Sequence, residues 1–382
     1  AIAAEGPGFA SRLIRGVRDL TRTRADIIRA ATPRHWRRCG GYSLDQFVDG
    51  VSSRWPRDPR FNLAKMFCGA EGTLGLLTEM TVGLVERMPF RALAAVGFDS
   101  LRAALDRVPE ILETGPSSVE LIDHTSLELC RQSAEYSRLL NGLVPGRPFC
   151  LLAVEYEGRE AGEPVSGLDR LEARLRGPSA PPVERLLDPG RQARLWAIRK
   201  AGLGLIMSTR ASRKPLPFLE DAAVPVEHLA EYVDRVESFC REMGLTITYY
   251  AHASTGCLHI RPALDLHDPA DRARIPEIQK AAAQWVREFS GSMSSEHGDG
   301  RSRSWLNETI YGPEMFSLFR EVKRLFDPAN LFNPGNIVDS PRSDEHLRAD
   351  PAFHRLTERP SHLDFTAEGG FFAAVEQCNG AA

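Results

Sequence analysis

Lysine is scarce in this chain, long hydrophobic runs are missing, and the cysteines do not pair off. Only five of its 48 basic residues are lysine, a bias that looks like genome base composition rather than function. The 48 Lys and Arg face 51 Asp and Glu, for a net charge of −3, so there is no overall electrostatic case for a nucleic-acid partner. No stretch approaches the roughly 18 uninterrupted apolar residues of a membrane-spanning helix, and none is expected. Ala1 to Gly8 lack the charged and apolar regions of a secretory signal. Seven cysteines stand at 39, 68, 130, 150, 240, 257 and 378 without a C-x-x-C pair. Neither a disulfide framework nor a Cys-based zinc site is therefore expected, and a reducing, cytoplasmic setting fits best. The common nucleotide and hydrolase signatures are missing too: there is no P-loop and no G-x-S-x-G. Gly69-Ala70-Glu71-Gly72-Thr73-Leu74-Gly75 has the wrong spacing for G-x-G-x-x-G, and Gly298-Asp299-Gly300 lacks its third glycine. Both argue against a Rossmann dinucleotide site.

What is present is ordinary globular composition: 382 residues, 42% apolar and 26% charged, with 31 glycines and 26 prolines. Disorder, collagen and coiled coil are excluded as global descriptions, and the length suggests roughly two or three domains. Residues 1–60 hold 12 arginines against six acids, a basic lobe that either faces an anionic cofactor or is a solvated face. The spacing of Phe9, Leu13, Ile14, Val17 and Leu20 predicts helix within 1–30. Cys39-Gly40-Gly41-Tyr42 and 69–75 read as glycine turns, and 78–85 as a strand. Strands are expected over 92–98, 118–122, 148–156 and 182–187, with helices over 101–113, N-capped by Ser100, and over 167–175. A helix over 191–207 and a strand over 218–224 follow. Pro225 opens a helix that Gly244 ends. Strands over 247–251 and 257–261 flank Ser254-Thr255-Gly256, and helices are expected over 275–289 and 313–326. Two rounds of β-α-β predict a ferredoxin-like α+β domain. The polar segment 339–364 suits a linker.

Two segments carry the densest chemistry: His252-Ala253-Ser254-Thr255-Gly256-Cys257-Leu258-His259, and Ser294-Ser295-Glu296-His297-Gly298-Asp299-Gly300. Two imidazoles can meet at one end of a two-stranded ribbon, and a carboxylate with a third His arrives on a glycine-rich loop. Two imidazoles and one carboxylate are a usual set for a catalytic divalent metal with open positions, zinc leading and manganese or iron the other candidates. Neighbouring residues tend to point apart, so Glu296 and His297 need not share a job. The alternative is unrelated histidines in polar loops. Arg199-Lys200 on one predicted helix and Lys214 before the strand Phe218-Leu219-Glu220-Asp221 form a second, cationic cluster. It is suited either to gripping a carboxylate or to serving as surface charge.

Here the residues meet a family. Gly69-Ala70-Glu71-Gly72-Thr73-Leu74-Gly75-Leu76-Leu77-Thr78-Glu79 resembles the G-S-E-G-T-L-G-I-I-T-E segment of vanillyl-alcohol-oxidase type flavoproteins. The ending Asp327-Pro328 to Asn333-Pro334-Gly335-Asn336-Ile337 resembles their D-P-x-x-x-x-N-P-G-K. The whole pattern is similar to the FAD-linked D-2-hydroxyacid dehydrogenases: D-lactate and D-2-hydroxyglutarate dehydrogenases and glycolate oxidase subunits. His252 to Pro262 points to a bacterial branch fused to an iron–sulfur half. The resemblance implies the second half of an FAD-binding domain over 1–88. A FAD-linked oxidase C-terminal (cap and substrate) domain follows over 89–338, with 325–338 returning to the flavin. A linker and the start of an iron–sulfur region occupy 339–382.

By that resemblance His252, His259 and Glu296 match metal ligands and His297 the catalytic base. Arg199 and Lys214 match residues that hold the substrate carboxylate. Glu71, Gly72, Thr73, Leu74, Gly75 and Asn336 match flavin contacts, with Gly41 and Tyr42 near the flavin. Two departures stand out. Leu203 replaces a Thr that touches substrate in D-2-hydroxyglutarate dehydrogenases. Arg261 stands where they have Asn, so a second substrate carboxylate could pair with it. The first, pyrophosphate-wrapping half of the cofactor domain is missing, and one cysteine, Cys378, cannot hold a 4Fe–4S cluster that normally uses four. The chain therefore looks like an internal piece of a longer one.

The implied reaction is oxidation of a D-2-hydroxyacid to the 2-oxoacid, with hydride passing to FAD N5. Electrons then leave through the iron–sulfur region, a quinone or another carrier, in the cytoplasm or at the periphery of the inner membrane. Two alternatives stand beside it: a metal-free FAD-linked oxidase of the same superfamily, or a binding fragment that is inactive without the rest of the FAD site.

Overall fold

The computed structural model describes residues 6–51, 53, 61–144, 146–207, 211–347, 362–368 and 370–375. Cys378 and half of 339–382, the expected linker and iron–sulfur start, lie outside the described residues. The chain divides into two compact units. The first comprises 1–83, 220–225 and 275–345, the second 84–219, 226–274 and 346–382.

The second unit is built on an antiparallel sheet. Its first four strands are β1 (Phe90–Phe98), β2 (Ser118–Ile122), β3 (Cys150–Gly158) and β4 (Val183–Leu186), in the order β4-β1-β3-β2. Helices Leu101–Asp106 and Val108–Leu112 lie between β1 and β2, and Gly162–Arg174 between β3 and β4. This is the β-α-β-β-α-β order of the ferredoxin-like fold, as the sequence pattern led us to expect. Ser100 caps its helix by accepting from Ala103 N. The single helix expected over 101–113 is two, with Pro109 near the start of the second. There its missing N–H costs nothing.

Period-2 alternation decides what each face meets. Leu93 and Ala95 of β1, Ile122 of β2, Leu151 and Ala153 of β3 and Leu186 of β4 form one buried cluster. Leu127, Cys130, Leu195 and Ile198 join it from helices His124–Gln132 and Pro189–Met207. Helix His124–Gln132 and its successor Ala134–Leu140 were not foreseen. They sit in the connection between β2 and β3 and, with Pro189–Met207, cover the face that the short helices leave bare. Pro189–Met207 buries Leu195, Ile198, Gly202 and Ile206, a three-to-four spacing that fixes its rotation.

The strand β5 (Lys214–Pro215) and the hairpin β7 (Ile247–His252) and β8 (Cys257–Leu264) extend the sheet, with β2 pairing β7 and β8 pairing β5. β6 (Leu219–Ala223) lies between them in sequence, and its residues 220–223 belong to the first unit.

The first unit is mainly helical: Phe9–Thr23, Ala25–Ala31, most of Pro269–Glu288, and Asn307–Phe326. The last is two helices joined at Gly312, whose backbone is non-helical at φ 78°, before Pro313. Val17, Leu20 and Ile28 are buried, as are Phe319, Val322 and Phe326. Ala223 bridges Ser292, and loops 39–42, 69–75, 291–300 and 327–338 fill the rest.

One expectation fails here. Residues 78–85, read as a strand, are irregular and exposed. Leu84 is 92% and Val85 93% exposed. β-propensity records fit to a pleated, half-buried surface, and among the described residues no neighbouring strand offers one. No described helix is long and apolar enough to cross a membrane.

Candidate active site

The second unit gathers its polar side chains on one face of the β2, β7 and β8 ladder. The register sets Glu120 opposite His252, Tyr250 opposite His259 and His252 opposite Cys257. Directly opposed residues share a face, so Glu120, Tyr250, His252, His259 and Arg261 all emerge on the same side. The His252 and His259 rings meet edge to face with centroids 5.2 Å apart. His259 stacks on Tyr250 at 4.1 Å. Helix Pro189–Met207, laid over this face by its apolar stripe, delivers Arg199. Its guanidinium lies 4.7 Å from the Tyr250 ring centroid and donates to Glu120 Oε2 from Nη2 at 2.9 Å and Nε at 3.2 Å. Arg261 reaches the same ring at 5.7 Å and donates to Met207 Sδ at 3.1 Å. It is buried.

Glu120 takes the other half of this network from His252, whose Nδ1 lies 2.7 Å from Oε1. A carboxylate at Nδ1 holds the proton there and leaves Nε2 with its lone pair, the tautomer that a metal ligand needs. His252 so prepared, with the His259 ring beside it, fits zinc, manganese or iron by donor chemistry. Lys214 comes from a further strand, β5, and pairs with Leu264 at the far end of β8.

The first unit organises a second polar cluster around the loop 294–297. At its centre is Asp221, fully buried at φ 76°. Its carboxylate accepts from Ser294 Oγ at 3.0 Å, Ser295 N at 3.0 Å, Ser295 Oγ at 2.7 Å, Glu296 N at 3.0 Å and His297 N at 2.9 Å. Successive main-chain N–H groups folded around one anion form a nest, and this one fixes the loop that presents Glu296 and His297. Because the loop curls, His297 Nε2 comes within 3.6 Å of Glu296 Oε1. The two neighbours do not point apart as an extended segment would make them. Glu296 also pairs with Arg37. Asp221, Glu296 and His297 place ligand-type atoms within 4.8 Å of one another, but the Asp221 oxygens are already taken by the loop.

Glu71 continues the same loop. Its carboxylate accepts from Asp299 N at 2.6 Å and Gly300 N at 2.9 Å. Burial, with Asp299 nearby, pushes its pKa up to about 7. Asp299 is itself buried, with its pKa raised by desolvation, and accepts from Gly41 N at 2.7 Å and Asn307 Nδ2 at 2.8 Å. Gly41 has φ 67°, and a Cβ there would lie 2.4 Å from the Phe319 ring, so only glycine fits. Tyr42 and Thr73 are buried, and their hydroxyls meet at 2.8 Å. Burial drives the Tyr42 pKa upward. Leu74 is buried as well. Thus Glu71, Tyr42, Thr73 and Leu74 direct their side chains into the protein, while a Cβ on Gly72 would meet nothing within 4 Å. Gly75 takes φ 157°. Asn336 is buried with Oδ1 unpartnered among the described atoms. An acceptor left in that state suits an N–H of a bound ligand, and in this respect the unit fits FAD.

Sequence reasoning missed Glu120, Tyr250, Asp221 and Arg37. The acids had a signal: Glu120 interrupts Val119-Glu120-Leu121-Ile122, and Asp221 sits in Leu219-Glu220-Asp221-Ala222-Ala223. Acids inside strands of buried apolar residues need partners.

Residues 87–337 match the family of FAD linked oxidases, C-terminal domain, and the chain belongs to the FAD-linked oxidase family. Among its curated relatives is the D-2-hydroxyglutarate dehydrogenase of Pseudomonas putida, 30% identical over 353 residues, 90% of this chain and 34% of that protein. That of Escherichia coli is 32% identical over 306 residues, covering 77% of this chain and 30% of the relative. The Escherichia coli glycolate oxidase subunit GlcD is 26% identical over 302 residues, covering 78% and 56%. The chain spans about a third of the length of the D-2-hydroxyglutarate dehydrogenases it matches. In three dimensions it is similar to 4-ethylphenol oxidase from Gulosibacter chungangensis, with a TM-score of 0.51 at 14% identity over 77% of this chain and 62% of that one. Likeness to p-cresol methylhydroxylase has the same TM-score at 13% identity, covering 74% and 59%. These two likenesses show a shared fold.

Proposed function

We propose that the chain is part of an FAD-dependent dehydrogenase that oxidises a D-2-hydroxyacid, of the D-2-hydroxyglutarate or D-lactate type, to the 2-oxoacid. The observation that carries this reading is the shared face of β2, β7 and β8. There two imidazoles stand beside two arginines around Tyr250. Imidazoles suit a metal that binds a hydroxyl, and guanidiniums suit carboxylates.

In this reading His252, His259 and Glu296 hold a divalent metal, which lowers the pKa of the substrate hydroxyl when bound. His297 takes the hydroxyl proton as general base. Arg199 and Lys214 hold the C1 carboxylate, and Arg261 takes a second anionic group on the substrate. Gly41, Tyr42, Glu71, Gly72, Thr73, Leu74, Gly75 and Asn336 border the flavin: Tyr42, Thr73 and Glu71 by fixing the loops, Gly72, Gly75 and Asn336 by facing it. FAD held by these residues would supply the hydride acceptor for C2 of the substrate. Onward electron transfer through an iron–sulfur region rests on the resemblance of 370–380 alone.

Elemental analysis of the purified protein tests the metal. About one zinc, manganese or iron per chain is expected, and its loss in His252→Ala. Turnover should favour D-2-hydroxyacids over their L enantiomers. A folded, flavin-loaded protein that holds no metal and is indifferent to chelators would move the assignment to a metal-free FAD-linked oxidase.

A further inference from the structure

We propose that Glu120 is a positioning residue that sets His252 and Arg199 with a single carboxylate. Neither the family resemblance nor the reading above gives it a role. It is a buried acid on β2 between buried Val119 and Leu121, where an unpaired charge would be severely penalised. Both its oxygens are engaged. Oε1 and Oε2 lie 2.7 and 2.9 Å from His252 Nδ1, and Oε2 also accepts from Arg199 Nε and Nη2. Backbone register makes the arrangement rigid, because Glu120 is the cross-strand partner of His252. A slip of one residue would send it to the opposite face.

Two consequences follow from one group. The His252 proton is confined to Nδ1, so Nε2 is available as a donor atom without rearrangement. The Arg199 guanidinium, fixed at two nitrogens and laid over Tyr250, is held in one orientation before any carboxylate arrives. Glutamine keeps the shape, but with its one oxygen held at the Oε2 position by Arg199 its NH2 stands where Oε1 was, 2.7 Å from His252 Nδ1, a donor in place of an acceptor. The same bonds could exist merely to neutralise Arg199. In that case replacing Glu120 would change stability and leave His252 as it is.

The test uses the 382-residue chain, metal-free and labelled at histidine with nitrogen-15, the His252 signals being assigned by their loss in His252→Gln. We expect His252 as the Nδ1–H tautomer in the wild type and a shift toward mixed tautomers in Glu120→Gln. Zinc titration of the same samples should show affinity lower by about 10–100-fold in Glu120→Gln. If Glu120→Gln does not fold because Arg199 loses its partner, the double variant Glu120→Met/Arg199→Met removes both charges and the acceptor at His252 Nδ1, and should show the same two changes. A folded variant with an unaltered His252 tautomer overturns the proposal. The zinc arm rests on the metal reading, and the two fail separately. A wild type that binds no zinc while its tautomer still responds to Glu120 refutes the metal and leaves the positioning role.

Discussion

Replacing Asp221 by asparagine should unfasten the loop that carries Glu296 and His297. The Asp221 Oδ2 atom accepts from Ser294 Oγ, Ser295 N and His297 N, and Oδ1 from Ser295 Oγ and Glu296 N. Asparagine keeps one oxygen, best placed at Oδ2. Its NH2 then faces Ser295 Oγ, which can turn to accept, and Glu296 N–H, which cannot and keeps only its 3.2 Å reach to Oδ2. One charge-assisted bond, about 1.5–3 kcal/mol, is largely lost, and the remaining bonds fall from charged to neutral strength, roughly 1 kcal/mol each. Relief of carboxylate desolvation offsets part of this. The net loss is about 3–6 kcal/mol, large against a domain stability of about 5–15 kcal/mol. Backbone strain does not confuse the comparison, because asparagine tolerates the φ of 76° as well as aspartate does. Urea denaturation followed by intrinsic fluorescence reads the effect as a lower midpoint at unchanged slope. A loss below about 1 kcal/mol would refute the view that Asp221 is the organising anion of this loop.

Other outcomes follow from the same geometry. Gly41→Ala adds a Cβ 2.4 Å from Phe319 at φ 67°, and should cost about 2–5 kcal/mol by combining left-handed strain with overpacking; an unchanged urea midpoint would contradict it. Glu71, with a folded pKa of about 7 against an ordinary 4.5, binds more protons folded than unfolded between those values. Stability should therefore fall as pH rises from 4.5 through about 7, by at most about 3 kcal/mol at 1.36 kcal/mol per pH unit. Glu71→Gln should flatten that slope, and a Tm profile as steep as wild type would assign it to another group. His297→Asn in the flavin-loaded protein should lose about 10²–10⁴ in kcat with KM largely kept, and near wild-type turnover would remove His297 as the base.

Most helices and strands of the second unit were legible because their signals are local, helices His124–Gln132 and Ala134–Leu140 being the exceptions. Ser100 caps, Gly244 stops, and the apolar stripe of Pro189–Met207 repeats at three-to-four spacing. Residues 78–85 were misread for the complementary reason. A strand exists only when a partner supplies its ladder, and that partner is never local.

The reactive residues divide in the same way. His252, His259, Glu296, His297 and Arg199 stand out by type and by their glycine-punctuated settings, so these candidates could be picked out from the chain alone. Their supports were not. Glu120 matters because the β2–β7 register sets it against His252, 132 residues away along the chain. Asp221 matters because four backbone N–H and hydroxyl-bearing residues 73 to 76 positions later fold around it. The sequence by itself determined which donors and cations exist and which turns carry them. Only the tertiary structure decided which buried carboxylate holds which of them, because the cost of burying a charge is met by partners that the fold alone brings within hydrogen-bonding distance.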